Sequence, residues 1–161
     1  MKYVFYFLCI TLLSGCAPNS SPTVDKAQEK EAIWNAVKQY ATLMQQGKYA
    51  EALHSMFPSE YIVVNAKGYQ TTYADTVAKR SMQYLQAYQV RYETFEPLPD
   101  PIIEISEAGD MAYAIAQIKM EIVSVDTAGN EQREERLPTF FAALKKKNGK
   151  WEIAVSSQYR E

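Results

Sequence analysis

The sequence predicts an α+β domain in which helices come first and a run of antiparallel strands then forms one curved sheet. Apolar residues recur at helical spacing between residues 24 and 46, and they alternate with polar residues along residues 112–122. Helical spacing is typical of an amphipathic helix, and strict alternation is typical of a strand that buries one side. Asn148-Gly149 is the strongest hairpin signal in the chain. This order of elements predicts helices packed against one face of a single sheet.

The first 15 residues have the organisation of an export signal. Lys2 supplies one positive charge, and residues 3–13 contain no charged side chain. This apolar run is typical of a signal peptide and is shorter than the roughly 20 apolar residues that a permanent membrane span needs. Residues 13–16 (LSGC) resemble the bacterial lipobox, at which a peptidase cleaves before a cysteine that carries diacylglycerol. We therefore expect lipid on Cys16, with an ordinary signal peptide and an incidental cysteine as the alternative.

Lipid on Cys16 determines the expected location and domain organisation. Two or three acyl chains, such as palmitate, anchor a protein stably, whereas a single chain does not. Ala17 stands where an aspartate would be the familiar signal for retention at the inner membrane. We expect a lipoprotein of the cell envelope, on the outer membrane facing the periplasm if the source has two membranes. Residues 1–15 are the expected signal peptide, residues 16–23 the lipidated cysteine and tether, and residues 24–161 the folded domain.

Composition restricts the partners and cofactors. The 17 Lys and Arg residues against 19 Asp and Glu residues give a net charge of −2, which argues against nucleic acid as a partner. The chain has one histidine, His54, and two cysteines, of which Cys9 leaves with the signal and Cys16 takes the lipid. An ordinary zinc site cannot be built from this set, so we expect no metal and no cofactor.

Two helices are expected to open the domain. The first, over residues 24–46, has Ser21 or Thr23 as its expected cap, and Gly47 is placed to end it in a left-handed conformation. A short second helix follows, and Pro58 stops it. Its apolar face is predicted to consist of Ala50, Leu53 and Phe57.

A strand, a turn and a third helix are predicted next. Residues 61–64 indicate a buried strand, and residues 65–68 (NAKG) indicate the turn after it. Thr72 and Asp75 have the spacing of a capping box, so the third helix is expected to begin near Thr72. The side chains expected to point inward from this helix are Val77, Tyr84, Leu85 and Tyr88.

The rest of the chain is predicted to be β-structure. Residues 90–95 alternate until Pro97, and a long strand over residues 112–122 is expected to bury its even-numbered positions. Three of these positions are alanines, which leave room for something larger on that side. Pro138 predicts a bulge or an unpaired edge in the next strand. The closing strand is expected to point Trp151, Ile153 and Val155 to one side.

Three parts of the chain together carry a family resemblance. They are the end of the first helix over residues 40–47, the Phe57-Pro58 segment that leads into a strand, and the closing stretch over residues 145–155 (KKKNGKWEIAV). In order and spacing they resemble the nuclear transport factor 2-like superfamily, which includes ketosteroid isomerase, scytalone dehydratase and polyketide cyclases. The resemblance covers residues 25–159. It implies a cone-shaped, curved and mostly antiparallel sheet packed against N-terminal helices, with a pocket between them.

The resemblance also suggests which residues surround that pocket. Tyr40 matches the tyrosine that stabilises an enolate in ketosteroid isomerase. The general base of that enzyme falls near Asn65 and its second acid near Thr139, and neither side chain takes up a proton at neutral pH. Tyr40 is therefore expected to be a core tyrosine whose hydroxyl has a partner at the pocket floor. Tyr61 and Tyr113 belong to a set of tyrosines that would suit an amphipathic ligand, although core packing is their default explanation.

Two other features are expected to be structural. His54 is predicted to be partly exposed on the second helix and to have no chemical role. The lysines at positions 145, 146, 147 and 150 are expected to surround a solvated hairpin tip rather than to form a patch for lipid headgroups.

Two functions remain open at this point. The first is a non-catalytic envelope lipoprotein whose pocket binds a small amphipathic ligand or whose domain binds an envelope protein. The second is an isomerase, cyclase or dehydratase that uses Tyr40 together with Glu60 or Asp75. Formation of a homodimer through the outer face of the sheet is compatible with both.

Overall fold

The structure is a computed structural model that describes residues 24–159. The expected signal peptide, Cys16 and the tether lie outside the described residues. Three helices are present, α1 (Lys26–Gln45), α2 (Tyr49–Met56) and α3 (Ala74–Ala87). The strands are β1 (Glu60–Asn65), β2 (Gly68–Tyr73), β3 (Arg91–Pro97), β4 (Ile102–Ile105), β5 (Met111–Val125), β6 (Glu131–Arg136), β7 (Thr139–Lys147) and β8 (Lys150–Tyr159). This content confirms the α+β class.

The strands form one curved, unclosed sheet in the order β2-β1-β8-β7-β5-β3. The 15-residue strand β5 is its spine, because it pairs with β4 and β3 along one edge and with β7 and β6 along the other. All neighbours are antiparallel except β1 and β8, which run parallel. The sheet is therefore mostly antiparallel, as expected, and the helices pack on its concave face.

The concave face holds two apolar clusters. In the first, Ile33 of α1 and Met56 of α2 pack on buried residues of β4, β5, β7 and β8. In the second, Ala41 of α1 packs on Phe95, Ile118 and Met120. The predicted inward positions of the long strand are confirmed at Ala112, Ala114, Ile118 and Met120, which are all buried. Helix α1 lies across both clusters and so fixes the distance between helices and sheet.

The prediction for the ends of α1 is confirmed at its carboxyl end and wrong at its amino end. Gly47 has φ +73°, the left-handed conformation predicted for it. At the other end the cap is Asp25, whose carboxylate accepts hydrogen bonds from the backbone N–H groups of Ala27 and Gln28. The expectation of Ser21 or Thr23 as the cap is wrong because the helix begins later, at Lys26.

The segment around Thr72 corrects the prediction of a capping box. Thr72 lies in β2, a strand that the sequence did not reveal, and it pairs with Tyr61 of β1. Helix α3 begins only at Ala74, and the side chain of its cap residue makes no capping hydrogen bond. The β-branched and aromatic residues of GYQTTY favour a strand, and pairing with β1 outweighs the local helix signal.

Burial on β1 and α3 is also lower than predicted. Only Tyr61 is buried in the β1 segment, because Ile62 and Val64 lie on the uncovered outer face of the sheet. On α3 the buried residues are Ala74, Ala78 and Leu85. Tyr84 and Tyr88 are more than half exposed and contact each other, so the prediction that they point inward is wrong.

Two further predictions concern the strand pair at the end of the chain. The break between β6 and β7 falls at Leu137-Pro138, as Pro138 predicts, and Asn148 and Gly149 have the positive φ angles of a tight hairpin turn. The closing strand differs from simple alternation. A β-bulge shifts its register so that Ala143 pairs with Val155 while Leu144 pairs with Ile153. The prediction that Val155 shares a side with Trp151 and Ile153 is therefore wrong.

Candidate functional site

A cavity of about 90 Å³ lies between α1, α2 and the concave face of β5, β7 and β8. The helical side contributes Ile33, Val37 and Tyr40 of α1 and Met56 of α2, with Phe57 beyond the end of α2. The sheet side contributes a single hydroxyl group, from Ser156, and is otherwise apolar; its lining residues are Ala114, Ala116, Ile118, Phe140, Ala142, Leu144, Ile153 and Ser156, with Phe141 at the edge. Among the residues that the structure describes, the wall of this hollow is apolar apart from two hydroxyl groups.

Small side chains on neighbouring strands create this hollow. Ala114 of β5 lies opposite Ala142 of β7, and Ala116 lies next to them opposite Phe140. Three methyl groups stand where larger residues would fill the space below α1, which leaves that space empty. The alanines singled out in the sequence therefore mark the position of the cavity.

The β-bulge in β8 supplies the second hydroxyl group. Because the bulge adds one residue between Ile153 and Val155, the inward positions change from odd to even numbers. Ser156 then pairs with Ala142 and faces the cavity. Strict alternation along the sequence would have placed it on the outer face, and no residue near Ala154 signals the bulge.

Tyr40 provides the other hydroxyl group. Its ring contacts Phe57 at 6.3 Å and Phe95 at 6.0 Å between centroids. The expected hydrogen-bond partner of the hydroxyl at the pocket floor stays a prediction, because the contacts described for Tyr40 are those of its ring. Burial, reinforced by the nearby Tyr92 and Tyr61, raises the pKa of Tyr40 well above its ordinary value. At neutral pH this group is therefore a protonated hydrogen-bond donor in the cavity wall.

The two rings that contact Tyr40 each contact a further aromatic ring. Phe57 contacts Tyr61 at 4.5 Å, and Phe95 contacts Tyr92 at 5.1 Å with nearly perpendicular rings. Such tilted and edge-to-face pairs stabilise an aromatic cluster beyond the burial of its area. Tyr61 is 5% exposed and supports Phe57 from behind, so it lies next to the cavity wall rather than in it.

The other three candidate pocket residues lie elsewhere. Asn65 closes the β1–β2 turn, where its side-chain oxygen accepts a hydrogen bond from the N–H of Lys67 at 2.8 Å. Tyr113 has an odd number on β5 and so lies on the outer face, 41% exposed and stacked on Phe141. Thr139 lines a separate surface depression near residues 98–102. The expectation that these three line the cavity is thus corrected.

The acids suggested for an enzymatic function also lie outside the cavity wall. Asp75 contacts His54 on the surface, with 3.0 Å between Oδ1 and Nε2, and its side chain is 87% exposed. Glu60 is exposed at the start of β1. The described lining residues include no carboxylate, imidazole or amine. As described, the wall can position an oxygen atom by hydrogen bonding, but it holds no group that takes up a proton.

One ion pair holds α1 to the closing hairpin beside the cavity. Glu29 accepts hydrogen bonds from Lys146 Nζ at 2.6 Å and from Trp151 Nε1 at 2.8 Å. These two donors lower the pKa of Glu29 below its ordinary value, so the carboxylate stays ionised. Lys146 is therefore an exception among the hairpin lysines, which were expected to be solvated.

Residues 24–159 also bear on other kinds of site. No helix in this part of the chain combines the length and the apolarity needed to cross a membrane. Nor does the described part bring three or more His, Cys, Asp or Glu side chains into an arrangement that could hold a metal ion.

Comparisons with known proteins show the fold. No model of a known protein family matches the sequence, and no curated protein matches it. A candidate scytalone dehydratase from Novosphingobium aromaticivorans has a TM-score of 0.62 at 13% identity, with 84% of this chain and 85% of that chain covered.

Two further structures give the same result. A nuclear transport factor 2-like protein of unknown function from Prochlorococcus marinus has a TM-score of 0.61 at 14% identity, covering 81% of this chain and 91% of that chain. An uncharacterised protein with a cystatin-like fold from Caulobacter vibrioides has a TM-score of 0.57 at 14% identity, covering 83% and 90%. The chain thus has the nuclear transport factor 2-like, cystatin-like fold, and likeness at this level of identity carries no activity.

Proposed function

We propose that the domain is a non-catalytic binding module that holds a small amphipathic molecule in its cavity. The observation that carries this proposal is the cavity wall, whose described residues are apolar apart from the hydroxyl groups of Tyr40 and Ser156. A wall of this composition favours a ligand that is mostly apolar, and the two hydroxyl groups favour a ligand with one oxygen atom that can form a hydrogen bond. Positioning without proton transfer is binding rather than catalysis.

The size of the cavity limits the ligand. A comparable engineered cavity of about 150 Å³ holds one benzene molecule, and drug-sized ligands occupy about 300–1,000 Å³. The 90 Å³ available here is smaller than that engineered cavity, so the upper limit is a single ring or a short acyl chain with one hydroxyl or carbonyl group. A ring would require a small outward movement of α1 or α2, and larger ligands a larger one.

Binding of p-cresol tests this proposal. The ring suits the apolar wall once α1 or α2 shifts slightly outward, and the phenol can bond to Tyr40 or Ser156, so titration calorimetry is expected to give a dissociation constant of about 0.1–1 mM. Toluene has the same body without the oxygen atom and is expected to bind more weakly, since the hydroxyl groups of the wall then have no partner. Absence of saturable binding would remove the proposal. Turnover of a ketone that depends on Tyr40 would instead favour the enzymatic alternative.

The second part of the proposal is that the domain is anchored to the bacterial envelope through lipid on Cys16. The apolar run followed by LSGC supports it. Mass spectrometry of the protein made in a bacterial host is expected to show an amino terminus at Cys16 carrying diacylglycerol. The Cys16→Ser variant should keep residues 1–15 and lack lipid. An unacylated amino terminus at any other residue of the wild-type protein would contradict the anchor.

A further inference from the structure

Strand β2 is an edge strand without the usual protection. Among the described strands it pairs only with β1, and five of its six residues are exposed. Its sequence, GYQTTY, contains no charged residue and no proline. Proteins normally place lysine, proline or a bulge in an exposed edge, because unpaired backbone groups pair readily with another chain.

Other edges of the same sheet are protected. Strand β6 has the sequence EQREER, in which all residues but one are charged. Strand β3 is covered by α1, because Gln45 Nε2 donates a hydrogen bond of 2.8 Å to the backbone carbonyl of Glu93. The neutral edge of β2 therefore stands apart from its counterparts and is suited to pairing.

The backbone groups available on β2 follow from the β1–β2 register. The turn closes with Asn65 opposite Gly68, and hydrogen-bonded and non-hydrogen-bonded pairs alternate from there. Tyr69, Thr71 and Tyr73 are in the non-hydrogen-bonded pairs, so their N–H and C=O groups point away from β1. The carbonyl of Tyr73 serves the first turn of α3, which leaves its N–H group for a partner.

A second copy of this chain fits this edge. In an antiparallel pairing with Thr71 opposite Thr71 of the second copy, Tyr69 lies opposite Tyr73, and these threonine and tyrosine side chains lie on the outer face. Pairs of threonines and pairs of aromatic residues are favourable across strands. Tyr69 is 82% exposed and Tyr73 is 54% exposed, so both have surface to bury.

Charges at the two ends of β2 are complementary in the same register. Lys67 precedes the strand in the turn, and Asp75 follows it in the first turn of α3. Antiparallel pairing about Thr71 brings the Lys67 turn of each copy towards Asp75 of the other. Both ends of the contact then join opposite charges, while the strand itself brings no like charges together.

We propose that two copies of this protein associate through β2, paired antiparallel about a two-fold axis at Thr71, so that the two sheets become one. A closed two-fold contact uses the same surface on both copies and leaves neither β2 edge free. The outer faces, which carry exposed Ile62, Val64 and Tyr69, then join into one apolar surface. This proposal is independent of the ligand of the cavity.

Co-purification of two differently tagged full-length copies in mild detergent tests the contact. Wild-type copies are expected to co-purify. Thr71→Glu in both copies places two like charges opposite each other at the axis and should lower co-purification at least about tenfold. Pairing a Thr71→Glu copy with a Thr71→Lys copy should restore it, and this recovery also shows that both variants fold.

Gln70→Glu is the matched control. It adds the same charge one residue away, on the opposite side of the sheet and not facing itself, so co-purification should stay at the wild-type level. Three results would overturn the proposal: wild-type copies that do not associate, Thr71→Glu copies that associate as wild type, or no recovery in the mixed pair. Association that survives Thr71→Glu would point to the outer face instead.

Discussion

Replacing Leu144 by alanine is expected to lower the free energy of unfolding by about 3–4 kcal/mol. Leu144 is 1% exposed and belongs to the cluster that joins α1 to β7 and β8. Its side chain also lines the cavity, so truncation enlarges an existing hollow that the surroundings already fail to fill. The cost of a core truncation rises with the volume left empty, which places this variant above the lower end of the usual range of about 2–5 kcal/mol.

Urea denaturation followed by circular dichroism measures this loss, and Leu137→Ala is the matched control. Leu137 is 53% exposed at the break between β6 and β7, so its truncation should change stability by less than about 0.5 kcal/mol. Domains of this size have a total stability of about 5–15 kcal/mol, which makes the loss at Leu144 easily measured. A loss below about 1 kcal/mol at Leu144 would show that the sheet and α1 are not packed as described.

The sequence predicts those parts of the fold that depend on local stereochemistry. Gly47 and the Asn148-Gly149 turn adopt positive φ angles that few other residues tolerate, and Pro138 cannot donate to a strand ladder. Helix α1 was predictable because its apolar residues recur over 20 residues, long enough for the period to be certain. Each of these structural features depends only on the residues of its own segment.

The parts that the sequence did not predict depend on distant partners. The strand β2 exists because β1 lies beside it, and this pairing outweighs the capping signal of Thr72 and Asp75. Tyr84 and Tyr88 are exposed because, among the described elements, α3 packs mainly on α2 and β2, which leaves much of its surface uncovered. Composition alone does not reveal how many neighbours a helix has.

The candidate site was predictable to a similar degree. The family resemblance predicts that Tyr40 lies at the pocket, and the alanines on β5 predict a cavity on the concave face of the sheet. Ser156 was missed because a bulge reverses which side of β8 faces inward, and Tyr113 was misplaced because tyrosine suits both faces of a sheet. Placing a side chain on a strand requires the register, which periodicity gives only where no bulge intervenes.

Replacing Ala142 by leucine is expected to abolish the binding of p-cresol. Ala142 lies on β7 opposite Ala114 and Ser156, at the centre of the small side chains that create the cavity. Leucine adds three carbon atoms in the space that the ring would occupy. Affinity measured by calorimetry should fall at least about tenfold, a change of about 1.4 kcal/mol. Filling an apolar hollow should also leave stability unchanged or raise it by up to about 1 kcal/mol.

Ala143→Leu separates this effect from a general disturbance of β7. Ala143 is the next residue on the strand and pairs with Val155 and Tyr113 on the outer face. The same three carbon atoms then point away from the cavity, so p-cresol should bind with its wild-type affinity. If both variants lost binding, a distorted strand rather than a filled cavity would explain the result. If Ala142→Leu bound p-cresol as well as wild type does, the ligand would have to occupy another surface, because that side chain and the ring cannot share a hollow of 90 Å³.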